Sequence, residues 1–202
     1  MKREPTNIVW LKRDIRSQDH SPLLKAEQSG MPYRVIFLFE PSIIEYPDTS
    51  LRHLQFVYQS LLTLNKTLSQ FNREVDIFYG EAADVFKYLH ETFEIKNIFS
   101  FRESATQITW KRDKTIKSFC KSNQINWEES QRDGIIRGIK HRTDWNKQWH
   151  ISMHQPVIYN KYSYANKKSL THPFLLPQSL EKKLQNYPTY YQPPGEKNAW
   201  RY

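Results

Sequence analysis

A dense group of charges follows the first apolar run of the chain. Residues 8–11 have the composition of a buried strand, and directly after them come Lys12, Arg13, Asp14 and Arg16. Parallel α/β sheets bind ligands just beyond the carboxyl ends of their strands, in the crevice where the strand order reverses. This turn therefore predicts a ligand site, a phosphate contact or a contact between domains.

The elements that would position this turn alternate along the chain. Apolar runs of the kind buried on both faces of a parallel sheet occur at residues 7–11, 33–39, 75–79, 97–101 and 125–128. Apolar residues at helical spacing lie between them, at 51–71, 85–93 and 105–122. A first helix would begin at Ser21 as N-cap, with Pro22 next, and end at Gly30. The alternation predicts an α/β fold, a Rossmann-like doubly wound sheet of five parallel strands with helices on both faces.

The sequence changes character after about residue 130. Residues 131–194 are polar and rich in tyrosine and proline, which predicts an extended connector with short helices and little core of its own. Residues 195–202 resemble the start of a further helix. We therefore expect three parts: an α/β domain at 1–130, a connector at 131–194, and the beginning of another domain at 195–202.

Composition narrows the function classes. The 202 residues carry a formal charge of +9, which favours a polyanionic partner but also fits a solvated basic surface, since the charge is spread along the chain. The single cysteine, Cys120, falls in a helical pattern and predicts a buried structural thiol. Histidine spacing does not predict a metal site. Neither a signal segment nor a membrane span is indicated, which predicts a cytoplasmic protein.

Several segments, taken in order, resemble the DNA photolyase/cryptochrome family. Residues 9–16, Val-Trp-Leu-Lys-Arg-Asp-Ile-Arg, are similar to the family opening Val-Trp-Phe-Arg-Arg-Asp-Leu-Arg. Further segments with family counterparts lie at 37–41, 52–61, 80–81, 103–113, 134–137, 153–156 and 195–202. The resemblance covers essentially the whole chain, but only the front part of the family architecture.

This resemblance implies an N-terminal antenna domain. In the family, a second chromophore absorbs light in this domain and passes the excitation to FAD, which the C-terminal helical domain holds. We therefore expect the parent protein to be a light-driven pyrimidine-dimer lyase acting on DNA, or a cryptochrome-like photoreceptor. The 202 residues alone would neither bind FAD nor catalyse repair, and their first partner would be the C-terminal domain of the same chain.

An antenna pocket needs an apolar slot for a flat ring and a few polar groups that orient it. The loops after the first, second and fourth strands would supply them, with Lys12 or Arg13 meeting a phosphate tail and Glu40 accepting from a ring N–H. For Arg13 and Glu40 a structural role is left open, and for Asp14 and Arg16 it is favoured. The predicted binding residues are Leu11, Lys12, Arg13, Phe39, Glu40, Ser42, Phe101 and Glu103.

The resemblance favours FMN or a deazaflavin over a folate as the antenna. Folate-binding members use an acid early in the helix after the fourth strand, where this chain has Thr106. The histidine that some of them use after the second strand corresponds to Pro47, and His53 is expected on a helix, at the surface or an interface.

Two alternatives come from other classes of protein. A basic nucleic-acid-binding module is suggested by the net charge and by the interleaved lysines and tyrosines of 159–168. A free-standing nucleotide-binding α/β protein is the other, although neither the Gly-x-Gly-x-x-Gly fingerprint nor a P-loop occurs. Tryptophans are expected to pack, with Trp10 and Trp127 in the core and Trp145 and Trp149 forming one helical stripe.

Overall fold

A parallel sheet of five strands forms the centre of the protein. The computed structural model describes residues 3–135, 141–166 and 169–201; Ile136, Arg137, Lys167, Lys168 and Tyr202 of the segments discussed above lie outside these ranges. The strands are β1 (Glu4–Leu11), β2 (Tyr33–Phe39), β3 (Val75–Tyr79), β4 (Phe93–Phe101) and β5 (Asn126–Ser130). Their spatial order is β3-β2-β1-β4-β5, with every pairing parallel. The predicted fold class is confirmed.

Helices cover both faces of this sheet. They are α1 (Ser21–Gln28), α2 (Pro41–Ile44), α3 (Leu51–Leu68, with a 3-10 turn at Ser69–Phe71), α4 (Ala82–Thr92), α5 (Gln107–Ser122), α6 (Trp145–Met153), α7 (Gln178–Gln185) and α8 (Glu196–Ala199). Alternate residues of a strand point to opposite faces. Ile8 and Trp10 therefore pack on the side of α4 and α5, whereas Val9 and Leu11 pack on the side of α1 and α3.

Two strands differ from what the sequence predicts, β4 in where it begins and β5 in how far it is buried. β4 begins at Phe93, which the helical pattern assigns to the preceding helix. The Phe93 side chain packs in the same core as the apolar residues of that helix, so apolar periodicity alone does not show where the helix ends and the strand begins. β5 lies at the edge of the described sheet and alternates exposed with half-buried residues, so it is not buried on both faces.

Trp10, Trp127 and the cysteine are packing residues. Trp10 is fully buried, and the half-buried Trp127 lies 5.7 Å from it between ring centroids. Trp145 and Trp149 form the expected pair on α6, with ring centroids 6.4 Å apart. Cys120 is buried, and burial raises the pKa of its thiol to about 12, which makes it an inert structural thiol.

The turn after β1 is held by a buried pair of side chains. Asp14 accepts hydrogen bonds from the Lys12 amide at 2.9 Å and from Nε2 of His20 at 2.7 Å. The other ring nitrogen of His20, Nδ1, accepts from the Leu23 amide at 3.2 Å and caps α1. The N-cap is therefore His20 rather than the predicted Ser21. Asp14 orients the His20 ring so that its Nδ1 can accept from the helix, and this contact is not visible in the local sequence.

The connector packs closely on the α/β domain. Leu184 of α7 is fully buried in the core beside α3, and Gln55 of α3 donates to the carbonyls of Lys183 and Asn186 at 2.8 and 2.7 Å. At an earlier point of the connector, the carbonyl of Phe174 accepts a hydrogen bond from the amide of Tyr79 of β3 at 2.9 Å. Among the described residues, no helix combines the length and the apolar character needed to cross a membrane.

Shortening Leu184 tests the attachment of the connector. Leu184→Ala should lower the free energy of unfolding by about 2–5 kcal/mol, because it leaves a cavity between α7 and α3. Urea denaturation followed by circular dichroism measures this change. Leu175→Ala, at a side chain that is 70% exposed, is the control and should change stability by no more than about 0.5 kcal/mol. Equal effects of the two substitutions would contradict the packing of α7.

The Asp14–His20 pair predicts a pH dependence of stability. Burial alone would raise the pKa of Asp14, but the hydrogen bonds from His20 and the Lys12 amide outweigh it, and the pKa lies below its usual range. A carboxyl whose pKa is lower in the folded state stabilises the fold above its unfolded pKa, which is about 3.9. That contribution is lost as the pH falls through the folded pKa.

Asp14→Asn should therefore reduce the free energy of unfolding by about 1–3 kcal/mol at pH 7. The difference from the unaltered protein should shrink below about pH 4, since Asp14 takes up a proton there in the unfolded chain while the folded carboxylate, with its lower pKa, still keeps its charge. Urea titrations at pH 7 and pH 3 make the comparison, with the exposed Asp84→Asn as the matched control. A deficit that stays constant between the two pH values would show that the carboxylate charge is not what holds the turn.

Candidate functional site

A cavity of about 900 Å³ opens at the carboxyl ends of β1 and β2. The turn after β1 forms one side of it, α2 and the first half of α3 form the opposite side, and α8 borders it as well. The strand order reverses beside β1, so this is the edge at which doubly wound sheets bind ligands. A volume of this size is enough for a drug-sized organic ligand.

One wall of the cavity is apolar. The ends of β1 and β2, the helix α2 and one side of α3 present aliphatic and aromatic side chains to it. These residues are Leu11, Phe37, Phe39, Ile43, Ile44, Leu54, Phe56 and Val57. Such a wall can pack against the face of a flat ring and keep water away from it.

A buried ionic network centred on Arg112 forms the opposite part of the lining. From α5, Arg112 donates to Glu40 at the end of β2 at 2.8 Å and to Glu103 in the loop after β4 at 2.6 Å. It also binds the neighbouring Asp113 at 2.8 Å, and its guanidinium lies 4.8 Å from the Trp10 ring centroid. One side chain therefore joins two strand ends to a helix and stacks on the core.

The pKa values of this network follow from burial and charge. Burial would lower the pKa of Arg112, but three surrounding carboxylates outweigh burial and raise the pKa above its usual value. Burial raises the pKa of Glu40, and the charge and hydrogen bond of Arg112 only partly oppose it. The cavity thus contains a carboxyl group that takes up a proton more readily than an exposed glutamate.

Lys12 is occupied by contacts inside the protein. Its ammonium lies 3.1 Å from Asp113 and 3.7 Å from Glu129, between the rings of Trp10 and Trp127 at 4.6 and 5.1 Å. Its side chain is only 3% exposed. Although Lys12 borders the cavity, its charge is already compensated and is badly placed to meet a phosphate tail.

Arg13 and Arg16 leave donors available at the mouth of the cavity. The Arg13 side chain is 57% exposed and uses its Nε to bind Glu103 at 2.9 Å. Arg16 holds the carbonyl and carboxylate of Asp19 with Nη2, at 2.6 and 3.1 Å, and its side chain is 36% exposed. These two guanidinium groups can receive an anionic group of a ligand at the rim.

Six of the eight predicted binding residues line the cavity: Leu11, Lys12, Arg13, Phe39, Glu40 and Glu103. Ser42 and Phe101 do not. Ser42 lies in the first turn of α2 and binds Glu81 through its amide and hydroxyl, both at 2.8 Å. Phe101 packs against the His20 ring at a centroid distance of 4.9 Å, on the far side of the turn.

Sequence reasoning missed Arg112 as the centre of the site. The segment 109–113 resembles a family motif, but nothing in its local pattern shows which of its charged side chains points inward. His53, expected on a helix, lies on α3 and borders the cavity. Across the described ranges, no group of three or more histidine, cysteine, aspartate and glutamate residues is arranged to hold a metal ion.

Solved structures share this fold. A photolyase from Sulfolobus tokodaii, described as an archaeal photolyase with two FAD molecules, matches with a TM-score of 0.73 and 20% identity over 96% of this chain and 44% of that chain. A bacterial class III photolyase from Agrobacterium tumefaciens matches with a TM-score of 0.68 and 16% identity, over 91% of this chain and 39% of the other.

Sequence comparison gives the same relationship. Cryptochrome-1 of Drosophila melanogaster is 24% identical over 135 residues, which is 64% of this chain and 25% of that protein. Cryptochrome DASH of a Synechocystis species is 25% identical over 104 residues, which is 49% of this chain and 21% of that protein. The chain thus spans about a quarter of the length of these relatives. The family model for DNA photolyase matches residues 7–152, and we conclude that the chain belongs to the DNA photolyase family.

Proposed function

We propose that the chain is the antenna domain of a photolyase or cryptochrome-like flavoprotein and holds a flavin-type chromophore in the cavity beside β1 and β2. The whole protein would then use light either to repair pyrimidine dimers in DNA or to signal, with FAD held in a C-terminal helical domain. The domain itself would neither form nor break a covalent bond. Its task would be to fix the distance and orientation of a ring that absorbs light.

The cavity itself is the observation that supports this proposal most directly. It joins a wall of aromatic and aliphatic side chains to a small number of charged groups, which is the composition expected of a site for a large organic ligand. The acids of the ionic network are held by Arg112, so they would orient a ring rather than transfer protons to it.

The charges indicate how a flavin would lie. Its ring would pack on the apolar wall, with Glu40 near its polar edge, and its phosphate would reach Arg13 and Arg16 at the rim. A folate fits less well, because Thr106 is the N-cap of α5 and offers no carboxylate to a pterin ring. The two FAD molecules of the archaeal neighbour suggest FAD as a further candidate beside FMN and a deazaflavin.

Ligand titration tests the proposal. FMN, FAD, a deazaflavin or a reduced folate is added to the purified protein, and chromophore fluorescence and thermal stability are followed. We expect saturable binding and a raised melting temperature with at least one flavin-type compound. Arg13→Ala should weaken that binding about tenfold or more, since a charge-assisted hydrogen bond contributes about 1.5–3 kcal/mol.

Arg142→Ala is the matched control for this experiment, because Arg142 is exposed and does not line the cavity. It should leave the affinity unchanged. Failure of all the flavin-type compounds to bind would overturn the proposed function. Tighter binding of the folate than of any flavin would overturn the choice of chromophore.

A nucleic-acid contact is a second candidate, supported by one face of α5. Lys114, Lys117 and Lys121 lie on it at helical spacing, beside Trp110, which is 48% exposed. The only acid of this helix, Asp113, is buried in the ionic network. A row of lysines suits a phosphate backbone, and Trp110 supports the row, since the ammonium of Lys114 lies 3.5 Å from its ring centroid.

Salt dependence distinguishes this contact from a solvated basic surface. If α5 binds duplex DNA, the logarithm of the affinity should fall linearly with the logarithm of the salt concentration, by about 0.9 for each phosphate contacted. Lys117→Ala with Lys121→Ala should make the measured slope less steep by about two contacts. Lys66→Ala with Lys87→Ala, at exposed lysines elsewhere, should change it less. Identical slopes for the two double variants would exclude α5 as the contact.

A further inference from the structure

The short helix α8 lies across part of the cavity mouth. Gly195, Glu196, Ala199 and Trp200 all line the cavity, together with the turn after β1 and with α3. Trp200 is 58% exposed, so its indole ring lies at the boundary between the cavity and solvent. A ligand that enters or leaves along this side must pass α8.

One carboxylate attaches α8 to the turn after β1. The Oε2 atom of Glu196 accepts hydrogen bonds from the amide of Ser17 at 2.7 Å and from its hydroxyl at 2.6 Å. Its Oε1 atom accepts from the amide of Gln18 at 2.7 Å and from the indole nitrogen of Trp200 at 3.4 Å. Four donors therefore converge on a single side chain, and every one of them requires an acceptor.

The residue before Glu196 is attached to α3. The amide of Gly195 donates to Oγ of Ser60 at 3.3 Å. Gly195 has a φ of +94°, and a Cβ atom there would lie 2.7 Å from Cγ2 of Thr63. The segment thus passes close to α3 at a point where only glycine fits, and it then crosses to the β1 turn.

We propose that α8 is a gate of the cavity and that Glu196 is the latch that keeps it closed. The inference rests on the proposed function, since it assigns the gate to a bound flavin-type chromophore. Glu196 is a positioning residue: it holds α8 and Trp200 over the cavity and so slows escape of the chromophore. The latch closes onto the turn that carries Arg13 and Arg16, so it also steadies the cations that face the ligand.

The substitution Glu196→Gln tests the latch with little risk to folding. An amide group has a similar shape but only one oxygen, and its N–H₂ must face either the Ser17 amide or the Gln18 amide, so at least one of these backbone donors loses its acceptor. We expect the rate of FMN dissociation, measured by stopped-flow fluorescence, to rise about tenfold or more. Glu91→Gln, the same change at an exposed position of α4, should leave this rate unaltered.

Amide hydrogen exchange tests the contacts of Glu196 in the absence of a ligand. In the unliganded protein, Glu196→Gln should speed exchange of at least one of the Ser17 and Gln18 amides, which both donate to the carboxylate. Amides of β1 should exchange as in the unaltered protein, which shows that the substitution does not unfold the domain.

These two readouts separate the possible failures. If the unaltered protein binds no flavin, the proposed function fails, and the gate for a chromophore fails with it. If flavin binds but exchange at Ser17 and Gln18 is unchanged in Glu196→Gln, the latch alone is overturned. If exchange rises but FMN dissociates at the original rate, the carboxylate holds α8 without retaining a ligand, and this also overturns the gate.

Discussion

The buried ion pairs of Arg112 are the constraint on which the site depends. This one guanidinium holds the carboxylates of Glu40 and Glu103, which come from different strand ends, and it stacks on Trp10 in the core. Without Arg112, the two carboxylates would be left uncompensated in a region of low dielectric. Removing one partner of a buried ion pair lowers the free energy of unfolding by about 3–5 kcal/mol. The shape of the cavity therefore depends on a helix that contributes only a small part of its lining.

The turn after β1 serves both the fold and the site. Asp14 and His20 hold it from inside, and Glu196 holds it from the C-terminal end of the chain. Tyr162 of the connector also donates its hydroxyl to the Ser17 carbonyl. Segments that follow the sheet in the sequence therefore fasten onto the same turn that carries Arg13 and Arg16.

The arrangement suits holding a molecule better than transforming one. Its strongest charges compensate each other, its apolar wall is broad, and the cations with donors to spare lie at the rim. This fits a domain whose proposed role is to place a chromophore.

The sequence by itself determined the layout of the domain. Apolar runs marked the strands, and helical spacing marked α3 and α5. The residues predicted at the strand ends included Leu11, Phe39 and Glu40 of the cavity. Those features depend on neighbours in the chain, so a local pattern reveals them. Only the tertiary structure decided the role of Arg112, the compensation of Lys12 and the contact of Glu196 with Ser17, which are 179 positions apart. A charged side chain has the same local pattern whether it faces water or a distant carboxylate, and only the packing of the strands and helices determines which of the two it meets.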